Sequence, residues 1–325
     1  MKAPANQRGV ALLAAILLVA LGTILAAGIA FQSAMAARRG AASLSFDESV
    51  LVAQGAEALA AYALNQDTNN TDSQADPWAQ PLGPVEITPG VMLAASIEDL
   101  QGRFNLNSLI ANDGTPTGTV DPDAVLAFQR LLEMVGLEAK WADEIADWID
   151  RDDTPQPDGL EDSGTTSQDP PYRVANTFIT STSELLALPG FGRERFLKLA
   201  PYVVALPVDA AINVCSASPA LLDAMTGPSA EEYTRKTTLV EDRQKGCSPT
   251  LQDYTGVVNT GPDQGKPELV RRLSRFSMQS KYFRLTTFVT IGGSEFTLYS
   301  LLKREAAGPS GPAKVRVLQR SFTPD

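Results

Sequence analysis

The densest chemistry in the chain is DEIADWIDRDDTPQPDGLEDSGTTSQDPPY, from Asp143 to Tyr172. Asp143, Glu144, Asp147, Asp150, Asp152, Asp153, Asp158, Glu161, Asp162 and Asp169 crowd there against a single base, Arg151. Carboxylates at that density repel one another unless solvent or a cation screens them. Hard oxygen donors on a loop shaped by Pro and Gly suit calcium, which accepts roughly six to eight oxygens in flexible geometry. Counted from Asp150, positions one, three, five, nine and twelve are Asp150, Asp152, Thr154, Asp158 and Glu161, much of an EF-hand ligand spacing. The sixth position is Pro155 where an EF-hand needs Gly, so the loop is not an EF-hand. The alternative is a solvated acidic loop that holds no ion.

Other chemistries are poorly supplied. The chain has no His, which removes Ser-His and Cys-His nucleophile systems and His-bearing zinc sites. A glycosidase would set paired carboxylates across an aromatic-walled cleft, and the loop shows no such constellation. No catalytic residue, and no enzyme, is expected. A net charge of −11 argues against gripping phosphate backbones. One motif points the other way: ELLALPGFGRERFLKLAPYV, Glu184 to Val203, has the L-P-G-x-G turn of helix-hairpin-helix DNA binders, with Arg193, Arg195 and Lys198 beside it. A membrane-anchored DNA receptor is therefore a rival reading. Against it, Pro189 and the two glycines suffice for a tight turn with Leu185, Leu186, Leu188, Phe191 and Phe196 packed inside. Three bases are few on so acidic a chain, and no nucleic-acid partner is expected. Cys215 and Cys247 are the only cysteines. In an exported chain they would form a disulfide closing a loop of about thirty residues, worth about 3 kcal/mol. In the cytosol they would be two buried thiols.

The elements that hold these residues begin with an anchor. Val10 to Ala37 carries no charge, and Val10 to Phe31 is nearly all apolar. At helical rise it spans about 33 Å, the depth of a bilayer core. A cleavable signal peptide is the alternative, with Ser33-Ala34-Met35-Ala36 imitating a cleavage site. Lys2 and Arg8 precede the segment and Arg38 and Arg39 follow it, so charge alone gives no orientation. Leu44, Leu51, Ala58, Leu59 and Tyr62 continue an apolar stripe at helical spacing, carrying the helix to about Leu64.

A short basic leader ending in Gly9, followed at once by Val-Ala-Leu-Leu, resembles the type IV prepilin signal. The resemblance implies that a prepilin peptidase cuts between Gly9 and Val10, that Val10 is then N-methylated, and that the apolar helix is retained. Most members carry Glu as the fifth mature residue; here it is Ala14. That Glu meets the N-terminal ammonium of a neighbouring subunit, and a subunit with nothing above it would bear an unpaired carboxylate in an apolar surrounding. Lack of the Glu together with large size resembles the GspK family, the large minor pseudopilins of type II secretion systems.

Between anchor and C-terminus, Asn65 to Pro84 is loop-like and Val85 to Leu100 predicts a strand or hairpin. Asn105 to Pro207 is mainly helical, with helices over Asp123–Val135, begun by Asp121-Pro122, and over Trp141–Trp148; another covers Ala217–Met225. Tyr282–Ile291, Glu295–Lys303 and Lys314–Phe322 predict strands, the first two joined at Gly292-Gly293. The expected fold is α+β: a pilin-like long N-terminal helix packed on an antiparallel sheet, with a large inserted all-α domain. Its parts are a leader (1–9), a transmembrane and spine helix (10–64), a pilin-like domain (65–104 and 261–325) and the insertion (105–260).

Asp147-Trp148-Ile149-Asp150, Asp152, Gly159-Leu160-Glu161-Asp162, Pro171-Tyr172-Arg173, Ala175-Asn176 and Ser183-Glu184-Leu185 resemble a signature run of the GspK family. The resemblance implies bound calcium in the α domain, with Asp150, Asp152, Glu161 and Asp162 favoured as ligands and Asp158 and Asp169 in reserve. It implies a single-pass inner-membrane protein with its large C-terminal part in the periplasm. There it would join other minor pseudopilins and cap or initiate the pseudopilus. A minor pilin of a type IV pilus is the near alternative.

Overall fold

The computed structural model describes residues 8–67, 69–111, 118–227, 232–258, 273–305 and 314–323. The leader residues Met1–Gln7, and parts of both the expected insertion and the expected C-terminal pilin segment, lie outside them.

One helix, α1, runs from Arg8 to Gln66. Its first half is not buried against any of the described residues. Its second half buries Ser49, Ala53, Ala56, Ala60 and Leu64, a stripe of mostly small side chains at helical spacing, against a five-stranded sheet. The bulkier stripe of Leu44, Leu51, Leu59 and Tyr62 faces outward. A helix laid on a sheet approaches closest where its side chains are small, so alanine rather than leucine marks the inner face.

The sheet holds strands β1 (Leu82–Thr88), β2 (Val91–Asp99), β3 (Tyr282–Ile291), β4 (Ser294–Glu305) and β5 (Lys314–Ser321), in that spatial order and wholly antiparallel. The β1–β2 hairpin turns at Gly90, and Gly292-Gly293 supplies the two left-handed residues joining β3 to β4. In β5 the register shifts: Val317 pairs with Leu302 but Gln319 with Leu301, leaving Leu318 as the extra residue of a bulge. Val315 and Val317 pack inward. The bulge lets Arg320 point inward as well, where Nε and Nη2 reach the two Glu57 oxygens at 2.8 and 2.7 Å. Ser300 Oγ donates to the same carboxylate at 2.7 Å.

The chain leaves the sheet at Asp99 and returns at Tyr282 on the adjacent strand. Between them lies the largest core, built from residues between Phe104 and Phe276. Helix α2 (Pro122–Met134) starts on Asp121, whose carboxylate accepts the N–H groups of Asp123 and Ala124. Helix α3 (Trp141–Ile149) is buried along its whole length. Further on come the single turn α4 (Asp162–Thr165), α5 (Gly192–Leu199) and α6 (Pro219–Thr226). Phe104 stacks on Phe128 at 4.7 Å and Trp141 meets Phe191 edge-on at 5.1 Å. Two short parallel pairings, Phe104–Asn105 with Val203–Val204 and Ile212–Asn213 with Phe276–Ser277, close the excursion on itself.

In the L-P-G-x-G stretch, the first helical segment is a 3-10 turn, Thr182–Ala187, and Gly190 and Gly192 take φ of 78° and 71°. Leu185, Leu188 and Phe191 are buried beneath. Arg195 grips Glu138 with Nε and Nη2 at 3.1 and 2.9 Å and donates to the Gly190 and Phe191 carbonyls, while Lys198 lies 3.4 Å from Glu194. Arg195 is thus engaged in holding the turn, and Lys198 is paired within α5.

Candidate metal centre

The acidic loop begins where α3 ends. Asp150 closes that helix, donating its N–H to Ala146 at 2.9 Å, and the chain then doubles back along it. The acids of α3 hold the returning backbone. Both oxygens of Asp147 accept the Gln156 N–H at 3.1 Å, and Asp143 Oδ2 accepts the Asp158 N–H at 3.2 Å. Glu144 takes Lys140 at 2.8 Å. Gly159 presses so close that a Cβ there would lie 1.8 Å from Asp147 Oδ2, so any side chain would displace that carboxylate. Asp143 and Asp147 thus shape the loop, and Glu144 is taken up by a pair at the start of its own helix.

Asp150, Asp152 and Glu161 remain. One carboxylate oxygen from each lies within 4.8 Å of the others. Asp150 is 1% exposed and Glu161 5%, while Asp152 sits at the open side and accepts the Thr154 N–H at 2.8 Å. None of the four oxygens of Asp150 and Glu161 has a hydrogen-bond partner among the described residues. Burial, then the neighbouring carboxylates, push both up to about 7, with Asp152 and Asp147 first among the neighbours of each respectively. Buried carboxylates without donors are strongly disfavoured. A proton or a cation relieves them, and the hard oxygen set fits calcium.

Asn176 belongs to the same place. Its N–H donates to the Trp148 carbonyl at 3.1 Å, its φ of 46° is left-handed, and its Oδ1 is buried without a partner. The spacing of acids alone gave no hint of it; the signal was an Asn, which tolerates that conformation, in an otherwise unremarkable loop.

Asp162 takes another part: Oδ1 accepts the Val174 N–H at 3.1 Å and Oδ2 lies 3.6 Å from Arg173 Nε. Asp158 and Asp169 are exposed and outside the three-carboxylate group. A second acidic group, Asp67, Asp72 and Asp76, closes on Arg304, which contacts Asp72 and lies 3.6 Å from Asp67. It is an ion-pair network tying the end of α1 to β4. Gly9 and Val10 lie exposed in the first turns of α1, and Cys215 is joined to Cys247.

Residues 102–208, which include the acidic loop, match the family model described as type II secretion system protein K. The type II secretion system protein K of Pseudomonas aeruginosa is 32% identical over 98% of this chain and 93% of its own length. That of Pectobacterium carotovorum is 31% identical, over 98% and 97%. The fold is shared with a chain in the crystal structure of the GspK-GspI-GspJ complex from enterotoxigenic Escherichia coli, with a TM-score of 0.71 at 24% identity, covering 88% of this chain and all of that one. Near-full-length identity to those relatives, on a spine helix, sheet and inserted helical domain, places the chain in the protein K family of type II secretion systems, the GspK minor pseudopilins.

Proposed function

We propose that this chain is the subunit at the tip of a type II secretion pseudopilus, cut between Gly9 and Val10 by a prepilin peptidase, methylated on Val10 and retained in the inner membrane. The observation that carries the reading is the outward face of α1. Its membrane-length apolar half is unburied among the described residues, and Leu44, Leu51, Leu59 and Tyr62 extend an apolar stripe beyond it, away from the helix's own sheet. Such a face suits the corresponding helices of other minor pseudopilins. Ala14 adds no carboxylate that would need a partner above it, and the α domain gives the subunit its bulk. Both favour a cap that starts the pseudopilus over an internal position. The disulfide accords with an oxidising periplasm around the large C-terminal part.

Calcium in the acidic loop is part of the same reading. Asp150, Asp152 and Glu161 would hold it, and the unpartnered Asn176 Oδ1, on a residue whose N–H is tethered to the Trp148 carbonyl, would be a neutral donor. When bound, it would neutralise charge and pin the end of α3 to the start of α4. No reaction is assigned to it.

The test is isolation of the tagged full-length chain from native membranes. It is expected to begin at methylated Val10 and to bring down the other minor pseudopilins. Leu51→Asp with Leu59→Asp should abolish the association and leave the melting temperature of the purified chain within a degree or two. A mature chain starting at Met1 or near Ala37, or capture with type IV pilus components instead, would overturn the assignment.

A further inference from the structure

The α domain meets the sheet through an apolar contact of Val204 and Leu206 with Tyr282 and Leu301, and through a hydrogen-bonded segment, Ile212–Ala217. Asn213 Nδ2 donates to the Asp72 carbonyl and to Asp99 Oδ2, both at 2.8 Å, and to Ser280 Oγ at 3.0 Å. Ser216 Oγ donates to the same Asp99 oxygen, and Ser280 Oγ does so at 2.8 Å. Ile212 and Val214 donate to the Arg275 and Ser277 carbonyls at 2.7 and 3.0 Å. Asp99 ends β2 and Ser280 precedes β3, so this segment bridges the α domain to the two central strands. The fit is tight: a Cβ on Gly102 would lie 2.7 Å from the Ser216 carbonyl oxygen.

The same six residues are braced from behind by residues 243–248. Cys215 is bonded to Cys247, and the buried Arg243 guanidinium donates to the Val214 and Ala217 carbonyls at 3.2 and 2.6 Å and to Ser248 at 2.8 Å. Cys215 is fully buried, whereas Cys247 is partly exposed. The seat itself is intolerant of movement. Asp99 is a half-buried carboxylate whose pKa desolvation raises, and its charge is held by donors from Asn213, Ser216, Ser280 and the Gln101 N–H. Withdrawing Asn213 and Ser216 strips two of the four side-chain and backbone donors from a partly desolvated charge.

We propose that the Cys215–Cys247 disulfide is a redox-operated catch that seats the α domain on the sheet, its formation fixing Ile212–Ala217 against Asp99 and its reduction releasing the segment. Closing the catch converts two thiols to one Sγ–Sγ bond, releasing two protons and passing two electrons to a disulfide oxidant; a dithiol reverses it by attack at Cys247. In the periplasmic orientation proposed above, the chain would thus take its seated form only after export, which keeps an unseated chain from assembling. The catch itself does not depend on the tip assignment.

Hydrogen exchange of the detergent-solubilised full-length chain, with calcium held constant, tests it. After reduction, confirmed by alkylation mass, amides in 97–103 and 276–283 should exchange about tenfold faster or more, while α2 and α3 keep their protection. The double variant Cys215→Ser, Cys247→Ser should behave so without reductant. Asn213→Ala, with the disulfide intact, should loosen the same peptides. Unchanged exchange at the seat after reduction would overturn the proposal, because the bond would then brace the α domain alone. Equal loosening of α2 and α3 would overturn it too, because the bond would then be a general staple.

Discussion

Removing one end of the Glu57–Arg320 pair should weaken the protein by different amounts depending on which end is removed. The Glu57 side chain is 6% exposed and Arg320 48%. Breaking a fully buried pair costs about 3–5 kcal/mol, and an exposed pair is worth about 0–1 kcal/mol. With one end in water, screening places this pair between those limits. Arg320→Ala leaves a buried carboxylate with only Ser300 as donor and should cost about 2–3 kcal/mol. Glu57→Gln frees an arginine that swings into solvent, leaves an amide able to bond Ser300, and should cost only about 1 kcal/mol. The double variant should cost less than the two together by about 1 kcal/mol or more. Deleting Leu318 removes the bulge but keeps Gln319 opposite Leu301 and Arg320 opposite Ser300, so Arg320 still faces Glu57 and the deletion should cost less than Arg320→Ala. Urea unfolding of the full-length chain in detergent, at fixed calcium, gives the midpoints. Equal costs for the two single variants, or strict additivity in the double, would refute the idea that a buried carboxylate anchors the last strand to the spine helix.

Glu161→Gln should abolish the calcium-induced rise in melting temperature yet make the calcium-free protein more stable than the parent, since it removes a buried, unpartnered charge; thermal scans with and without chelator separate the two. In chelator, stability should rise as pH falls from about 7 towards the ordinary carboxylate range and fall as pH rises through about 7, because the folded forms of Asp150 and Glu161 hold protons there that the unfolded chain has released. Saturating calcium should flatten that slope, and a chelated protein least stable at pH 5 would contradict it. Gly159→Ala drives a methyl into Asp147 and should cost about 1–3 kcal/mol and lower calcium affinity, measured by calorimetry.

The strands were legible because β3 and β4 are long, alternate in burial and meet at a glycine pair. The inner face of α1 was not, because apolar bulk marks the exposed stripe and the buried one is written in Ala and Ser. The acidic loop declared a cluster but not its division of labour. Asp143, Asp147 and Asp162 are occupied by backbone N–H groups from residues that no local spacing connects to them, and Asn176 comes in from outside the acidic run. The two-residue parallel pairings that close the α domain carry no periodicity at all.

The pairing of β2 with β3 joins residues roughly 180 positions apart, directly side by side. A coil of that length must surrender about 2–3 kcal/mol more entropy to bring its ends together than a loop of about ten residues. If the helical excursion folds first, its own pairings already hold the two ends adjacent, and the sheet then closes as though the intervening chain were a short turn. The order of folding is thereby set by topology: hairpins and α domain early, the central seam of the sheet last. Whatever delays the α domain delays the seam that joins the first hairpin to the strands beneath the spine helix.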